Sequence, residues 1–364
     1  MTYEPIADPF PFSPGFDIAA VVKTAKILPS RSWEFGTAAE ALLELYNPDL
    51  SVFSSHPFPV PTIPENYDIP SLTYAASKIV IGTGANGLST GDGAVGDPAS
   101  LGVSAILLGK TNAAYAAAVQ AEIKYITQDA PRFSNGAISH RTDVAELWAD
   151  FIYMAPPFLV YAAADLGDLD LLHEAYLQCG LYRQILQPNH GIWQHIIGPQ
   201  NQDEGFWSTS NGWAAAGMAR VLATVIKASI SANASWRQEA IDNLSLWIQE
   251  IIDGAMRCSM DGGLLRNYLD DTSWFGEISG SSLLAAVAYR MAILRPQQFG
   301  EKYLEFADGI RCTLAKYIAS DGSVSPAVNP MSAGDRSPIS WSPEGHNFVV
   351  LLYCAWRDYV QRSS

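Results

Sequence analysis

Apolar residues recur at spacings of three and four through most of the chain, as in Ile241, Leu244, Trp247 or Ile248 and Ile251, whereas sustained alternation at a spacing of two is scarce. That period belongs to helices with a buried face, so the chain is predicted to be all-α. Punctuation marks the ends. Asp97-Pro98 and Ser342-Pro343 read as N-cap plus first-turn proline, Ser235 to Gln238 as a capping box, and Gly109 and Gly167 as stops. The resulting helices are 16–28, 34–47, 70–82, 97–109, 112–128, 143–165, 167–185, 210–230, 234–255, 276–294, 297–319 and 342–361.

The connections are as informative as the helices. Links near 110, 166, 232 and 295 are short, while those near 83–96, 129–142, 186–209, 256–275 and 320–341 are long and rich in Gly, aromatic and polar residues; only 48–69 breaks the alternation. Short links join antiparallel neighbours, so the long loops gather at one end, beside the N-termini of the even-numbered helices. Six helical hairpins arranged this way predict an (α/α)6 toroid, one domain over 1–364, with a pocket where the inner helices begin. An irregular solenoid is the competing architecture, but its loops would repeat one another and these do not.

Of the 364 residues 48% are hydrophobic and 16% charged, against a usual charged share of about 25%. Such a chain buries a large core. The formal net charge of −15 repels phosphate backbones and anionic membrane surfaces, which argues against nucleic acid and membrane partners. The opening residues lack the basic stretch and apolar run of a secretory signal. A cytoplasmic protein is therefore expected, or a secreted one whose signal has been removed. Cys179, Cys258, Cys312 and Cys354 lie far apart in helix-like segments, without zinc or redox spacing, and read as buried free thiols.

Some motifs match in form but not in context. Gly82-Thr83-Gly84-Ala85-Asn86-Gly87 spells a dinucleotide fingerprint, and Gly87-Leu88-Ser89-Thr90-Gly91 a nucleophile elbow, yet neither lies between a strand and a helix. A glycine-rich rim on the pocket is the structural alternative. His190 and His195, with Asp203 and Glu204 downstream, match no common ligand spacing, so no metal or other cofactor is expected.

Other residues carry candidate chemistry. Asp150 sits in Leu147-Trp148-Ala149-Asp150-Phe151-Ile152-Tyr153-Met154, among large apolar side chains. Burial raises a carboxyl pKa and keeps an acid protonated near neutrality; the other reading is a buried Asp satisfied by Arg141 or a backbone amide. From His190 to Trp213 the chain concentrates Trp193, His195, Phe206, Trp207, Asn211 and Trp213: either a sugar-stacking surface or a mini-core under a long loop. His140-Arg141 offers a donor and a fixed cation where an anionic sugar would enter. Asp97 lies at the same end, with a sufficient structural role as a helix cap.

The run Trp148 to Pro157, followed by Trp207-Ser208-Thr209-Ser210-Asn211-Gly212-Trp213, resembles the unsaturated glucuronyl and rhamnogalacturonyl hydrolases of glycoside hydrolase families 88 and 105, and is closer to family 105. The likeness covers most of the chain and continues in Glu277 to Ser281 and in Asp321-Gly322. The resemblance implies the toroid, with Asp150 as catalytic acid, Asp97 as second aspartate, and His140, Arg141, Trp148, Met154, His195, Trp207, Thr209, Asn211 and Trp213 as substrate contacts. One departure stands out: Thr209-Ser210 replaces the Arg-Gly of the usual Trp-x-Arg-Gly-Asn-Gly-Trp, so Arg141 or Arg266 must meet a uronate carboxylate, or the neighbouring sugar is held differently.

The chemistry implied by the resemblance is hydration. The substrate is an oligosaccharide left by a lyase, with a 4,5-unsaturated uronic acid at its non-reducing end. Its enol ether is protonated at C4, water adds at C5, and the hemiketal rearranges and expels the rest of the sugar. The alternatives are an inverting glycosidase on the same fold using Asp97 and Asp150, or a carbohydrate-binding toroid without catalysis.

Overall fold

The computed structural model describes residues 10–63, 69–188 and 191–363. In chain order its helices are α1 (Ile18–Ile27), α2 (Ser32–Tyr46), α3 (Pro70–Lys78), α4 (Gly102–Gly109), α5 (Ala113–Lys124), α6 (Phe151–Met154), α7 (Pro156–Leu166), α8 (Leu169–Leu186), α9 (Ser208–Lys227), α10 (Arg237–Arg257), α11 (Ile278–Leu294), α12 (Glu301–Leu314) and α13 (Pro343–Ser363). Two short strands, β1 (Leu147–Trp148) and β2 (Ile196–Ile197), pair antiparallel.

The helices form two concentric rings. The inner ring runs α2, then α4 with the 3-10 turn Asp97–Leu101 before it, then α6 and α7 in series, α9, α11 and α13, which closes back on α2. Outside it, α3, α5, α8, α10, α12 and α1 pack on α2, α4, α7, α9, α11 and α13 respectively. This is the (α/α)6 toroid expected from the alternation of links.

Composition follows the ring. Inner α9 is buried continuously from Ser208 to Val225, and α11 from Ile278 to Ala292. Outer α10 buries only a stripe through Ala240, Leu244, Ile248, Ile251 and Ala255, as an amphipathic helix should. Small residues permit the inner contacts: a Cβ at Gly217 would lie 2.0 Å from the carbonyl oxygen of Ile152, so α9 could not approach α6 with anything larger. Away from the loop end, Arg220 bridges Glu40 (3.0 Å) and Glu44 (2.5 Å), and Arg290 bridges Glu44 (2.7 Å) and Asp358 (2.5 Å). These buried, mutually paired charges tie the C-terminal halves of α2, α9, α11 and α13 together.

Several local expectations change. The single helix over 143–165 is instead strand β1, a short α6 and a separate α7, because Pro156 and Pro157 lack the amide hydrogens needed to continue a helix but suit the first turn of a new one. Asp97 does not cap with its side chain; Gly96 occupies the cap position. Nor does Ser235 cap α10, which follows Trp236 without a side-chain cap bond. Ser342 does cap, accepting from the Gly345 amide at 3.1 Å, and Gly167 ends α7 in the left-handed region at φ 73°. Cys179 and Cys354 are buried, but Cys258 is half-buried and Cys312 exposed. The Gly82–Gly87 segment is loop with a 3-10 turn at Gly84–Asn86, not a strand-to-helix turn.

Candidate active site

The N-termini of the inner helices and the long loops around them enclose a cavity of about 780 Å³. A small ladder organises its wall. Pairing of β1 with β2 sets Trp148 opposite Ile196, and a further bridge joins Ile196 to Asp203. The Ala149 amide also donates to the His195 carbonyl at 2.9 Å. Trp148, Asp150, His195 and Asp203 are thereby brought side by side from two distant loops, and all four line the cavity.

Asp150 immediately precedes α6, and its Oδ2 accepts the Ser210 hydroxyl from α9 at 2.8 Å. Burial pushes its carboxyl above the ordinary range, although the Ser210 hydrogen bond pulls the other way. His195 Nε2 is 3.6 Å from the same Oδ2. On the other side of the ring, His195 Nδ1 is 2.8 Å from Asp203 Oδ2, which also accepts the Tyr268 hydroxyl at 2.6 Å. Burial alone would raise Asp203, but these hydrogen bonds outweigh it and hold the carboxyl below its usual range.

Asp97 faces the same space. Burial, then the nearby Asp150 carboxyl, push its pKa up to about 8. Its Oδ1 lies 3.9 Å from His140 Nε2, and burial followed by the Arg141 charge lowers His140 to about 3, leaving that ring a neutral group. His140 stacks on Trp148 with centroids 4.6 Å apart. The Trp148 indole donates to Glu146 Oε1 at 2.6 Å, and Glu146 also accepts from Asn201 Nδ2 at 2.9 Å, which pins the loop above the ladder. Trp207 donates to Asn267 Oδ1 at 2.8 Å and flanks His195 at 4.6 Å; Met154 and Trp213 complete the apolar floor.

Two predicted contacts are not in the lining. Thr209 is fully buried with an unpaired hydroxyl, and Asn211 clamps the loop by accepting the Trp193 amide at 2.7 Å and donating to the Trp193 and Trp207 carbonyls at 2.9 Å each. Helical rotation explains both: Ser210, which reaches Asp150, and Trp213, which lines the cavity, are three residues apart on one face of α9, and positions 209 and 211 turn away. Arg266 is held by the Trp274 carbonyl and does not line the cavity. His190 lies outside the described residues. Among the described residues no cluster of three or more His, Cys, Asp or Glu is placed to hold a metal ion.

Sequence reasoning missed Arg31, Trp33, Asp92, Tyr268 and Glu344, which all line the cavity. Arg31 pairs with Asp92 at 2.6 Å, and Asp92 adopts φ 48°, an uncommon left-handed conformation for a residue other than glycine. Its carbonyl accepts from Arg141 Nη2 at 3.4 Å, while Arg141 Nε is buried without a hydrogen bond, 4.0 Å from Asp143 Oδ1. Glu344 accepts the Trp33 indole hydrogen at 2.7 Å and is raised to about 8 by burial and by Glu34.

A profile of the family described as Glycosyl Hydrolase Family 88 matches residues 103–338. The chain belongs to glycosyl hydrolase family 88. The matched span includes Asp150, His195 and Trp213 but not Asp97 or Arg31. Among curated family relatives, the unsaturated rhamnogalacturonyl hydrolase YesR of Bacillus subtilis is 24% identical over 220 residues, 56% of this chain and 57% of that protein. The chain thus matches little more than half the length of that relative. Solved structures share the fold along nearly the whole length. A possible GH105 member from Klebsiella pneumoniae superposes with a TM-score of 0.72 at 16% identity, covering 98% of each chain. The unsaturated glucuronyl hydrolase of Bacillus sp. GL1 superposes with a TM-score of 0.62 at 13% identity, covering 94% of this chain and 95% of that one. No described helix is long and apolar enough to cross a membrane.

Proposed function

We propose that the protein is a glycoside hydrolase that removes a 4,5-unsaturated uronic acid from the non-reducing end of lyase-generated oligosaccharides by hydrating its enol ether. The observation that carries this is Asp150, a buried carboxyl raised above its ordinary range and held by Ser210, with His195 alongside, in a cavity large enough for a disaccharide. Family membership and the unsaturated rhamnogalacturonyl hydrolase relative support the same chemistry.

In this reading protonated Asp150 delivers its proton to C4, and positive charge develops at C5 and the ring oxygen. Water then adds at C5 and loses a proton to the Asp150 carboxylate, restoring the acid. The hemiketal opens to a ketone at C5, and the hemiacetal left at C1 releases the remaining sugar with the original glycosidic oxygen. Asp97, neutral below about pH 8, donates a hydrogen bond to the sugar and adds no second negative charge beside the acid. Trp148, Met154, Trp207 and Trp213 supply apolar faces for the ring, while His140 and His195 meet its hydroxyls. The substrate carboxylate is met by Arg141, whose guanidinium lines the cavity and is tied to the protein only loosely, by a 3.4 Å hydrogen bond from Nη2 to the Asp92 carbonyl and a 4.0 Å approach of Nε to Asp143.

The test is a panel of defined unsaturated disaccharides followed by proton NMR. The vinylic signal at C4 should disappear in step with release of the free aglycone. Release of the aglycone with the vinylic signal intact would mean direct displacement at C1, and would defeat the proposal.

A further inference from the structure

We propose that Asp203 and Tyr268 are positioning residues that fix the His195 imidazole with its hydrogen on Nδ1, so that the bare Nε2 is presented beside Asp150 as an acceptor for a sugar hydroxyl. The proposal rests on the functional reading above for its substrate, but its geometry is independent of it.

The argument is an inventory of donors and acceptors. Asp203 Oδ2 takes the Tyr268 hydroxyl at 2.6 Å and faces His195 Nδ1 at 2.8 Å, while Oδ1 takes the Gly205 amide at 3.0 Å. A carboxyl group that already accepts from two donors and is held below its usual range is ionised and can only accept, so the hydrogen between Asp203 and the ring belongs to Nδ1. A neutral imidazole carries only one such hydrogen, and Nε2 is left with its lone pair. The carboxyl oxygen facing Nε2 is Asp150 Oδ2 at 3.6 Å, beyond hydrogen-bond distance and already occupied by Ser210. Among the described residues nothing donates to Nε2. The indoles of Trp207 (4.6 Å) and Trp148 (5.9 Å) flank the ring and restrict its rotation, and backbone bonds between His195 and Gly205 and between Ile196 and Asp203 fix the two side chains relative to each other.

The consequence is selectivity. An acceptor nitrogen at this point favours a ligand hydroxyl and disfavours a carbonyl or carboxylate, so the uronate is oriented with a hydroxyl toward His195 and its carboxylate toward Arg141. The other tautomer would instead turn an N–H toward Asp150 and lose the acceptor for the sugar hydroxyl.

Long-range proton–nitrogen correlation spectra of the protein labelled at its 6 histidines test this directly, with the His195 signals assigned by their loss in His195→Gln. The expected result is Nδ1–H at neutral pH; Nε2–H, or a fast mixture of tautomers, overturns the proposal. On a disaccharide that the wild type turns over, Asp203→Ala should lower kcat/KM by about 100-fold, the scale of a misplaced contact group. Asp203→Asn, which keeps an acceptor for Nδ1–H, should recover much of this, and Tyr268→Phe should lose less. In a His195→Ala background Asp203→Ala should add less than about twofold; fully additive losses would show that Asp203 does not act through His195 and would overturn the proposal. If no unsaturated disaccharide is turned over, the reading of function fails, and the tautomer alone decides this one.

Discussion

Ser210 and Asp150 are joined across α9 and α6 by a hydrogen bond of 2.8 Å from the serine hydroxyl to Oδ2. Such a bond favours the ionised carboxylate, opposing the burial that raises Asp150. The hydration mechanism needs the protonated form, so activity should fall as pH rises through the Asp150 pKa. Ser210→Ala removes the opposing bond and should move that alkaline limb upward. A pH profile of kcat/KM measures it, and a downward movement would contradict the assignment.

Asp97 gives a prediction about stability. Its pKa rises from 3.8 to about 8 on folding, chiefly through burial, so between those values the folded protein retains a proton that the unfolded chain has lost. The favourable contribution is complete below the unfolded value and is lost as pH rises through about 8. Asp97→Asn is neutral throughout. Its melting temperature should therefore gain on the wild type from pH 5 to pH 9, and a constant difference would show that Asp97 is not raised.

Arg141 lines the cavity with its Nε 4.0 Å from the exposed Asp143 carboxylate and without a hydrogen bond there, whereas Arg31 is closely paired with Asp92 at 2.6 Å. Removing a charge-assisted hydrogen bond costs about 1.5–3 kcal/mol. Arg141→Gln should accordingly raise KM by about tenfold to a hundredfold with little change in kcat, and Arg31→Gln should do less. Steady-state kinetics on one disaccharide separate the two.

Thr209 leads to a revised expectation. Placed in the cavity, an arginine there would alter the choice of aglycone; buried in α9 with its hydroxyl unpaired, it has no route to the substrate. Thr209→Arg should destabilise the fold by several kcal/mol by burying an unpaired charge. Thr209→Val, nearly isosteric, should be neutral or slightly stabilising. Thermal melts of the two variants check both signs.

These cases show what was legible in the chain. Inner and outer helices were readable because their periodicity and end signals agree: helices predicted to start at 210, 276 and 342 begin at Ser208, Ile278 and Pro343. Asp150, His195 and Trp213 stood out as polar or aromatic groups where the fold required neither. The ladder of β1 and β2 left no trace, since two-residue strands have no period to detect, yet it sets His195 beside Asp150. Closure of the ring was equally hidden. Trp33 and Glu344 are 311 positions apart and meet only because α13 returns to α2. Asn211 looked functional because it is polar among tryptophans, but its three hydrogen bonds hold the loop and not a ligand.

The most direct test of the account compares wild type with Asp150→Asn on unsaturated disaccharides from a lyase digest, following the ultraviolet absorbance of the enol ether, with a thermal melt to establish that the variant is folded. The wild type should abolish the absorbance, and the folded variant should do so at least about 100-fold more slowly, the usual scale for a lost general acid. Unchanged absorbance with the wild type, alongside reducing-sugar release from saturated oligosaccharides, would contradict the account.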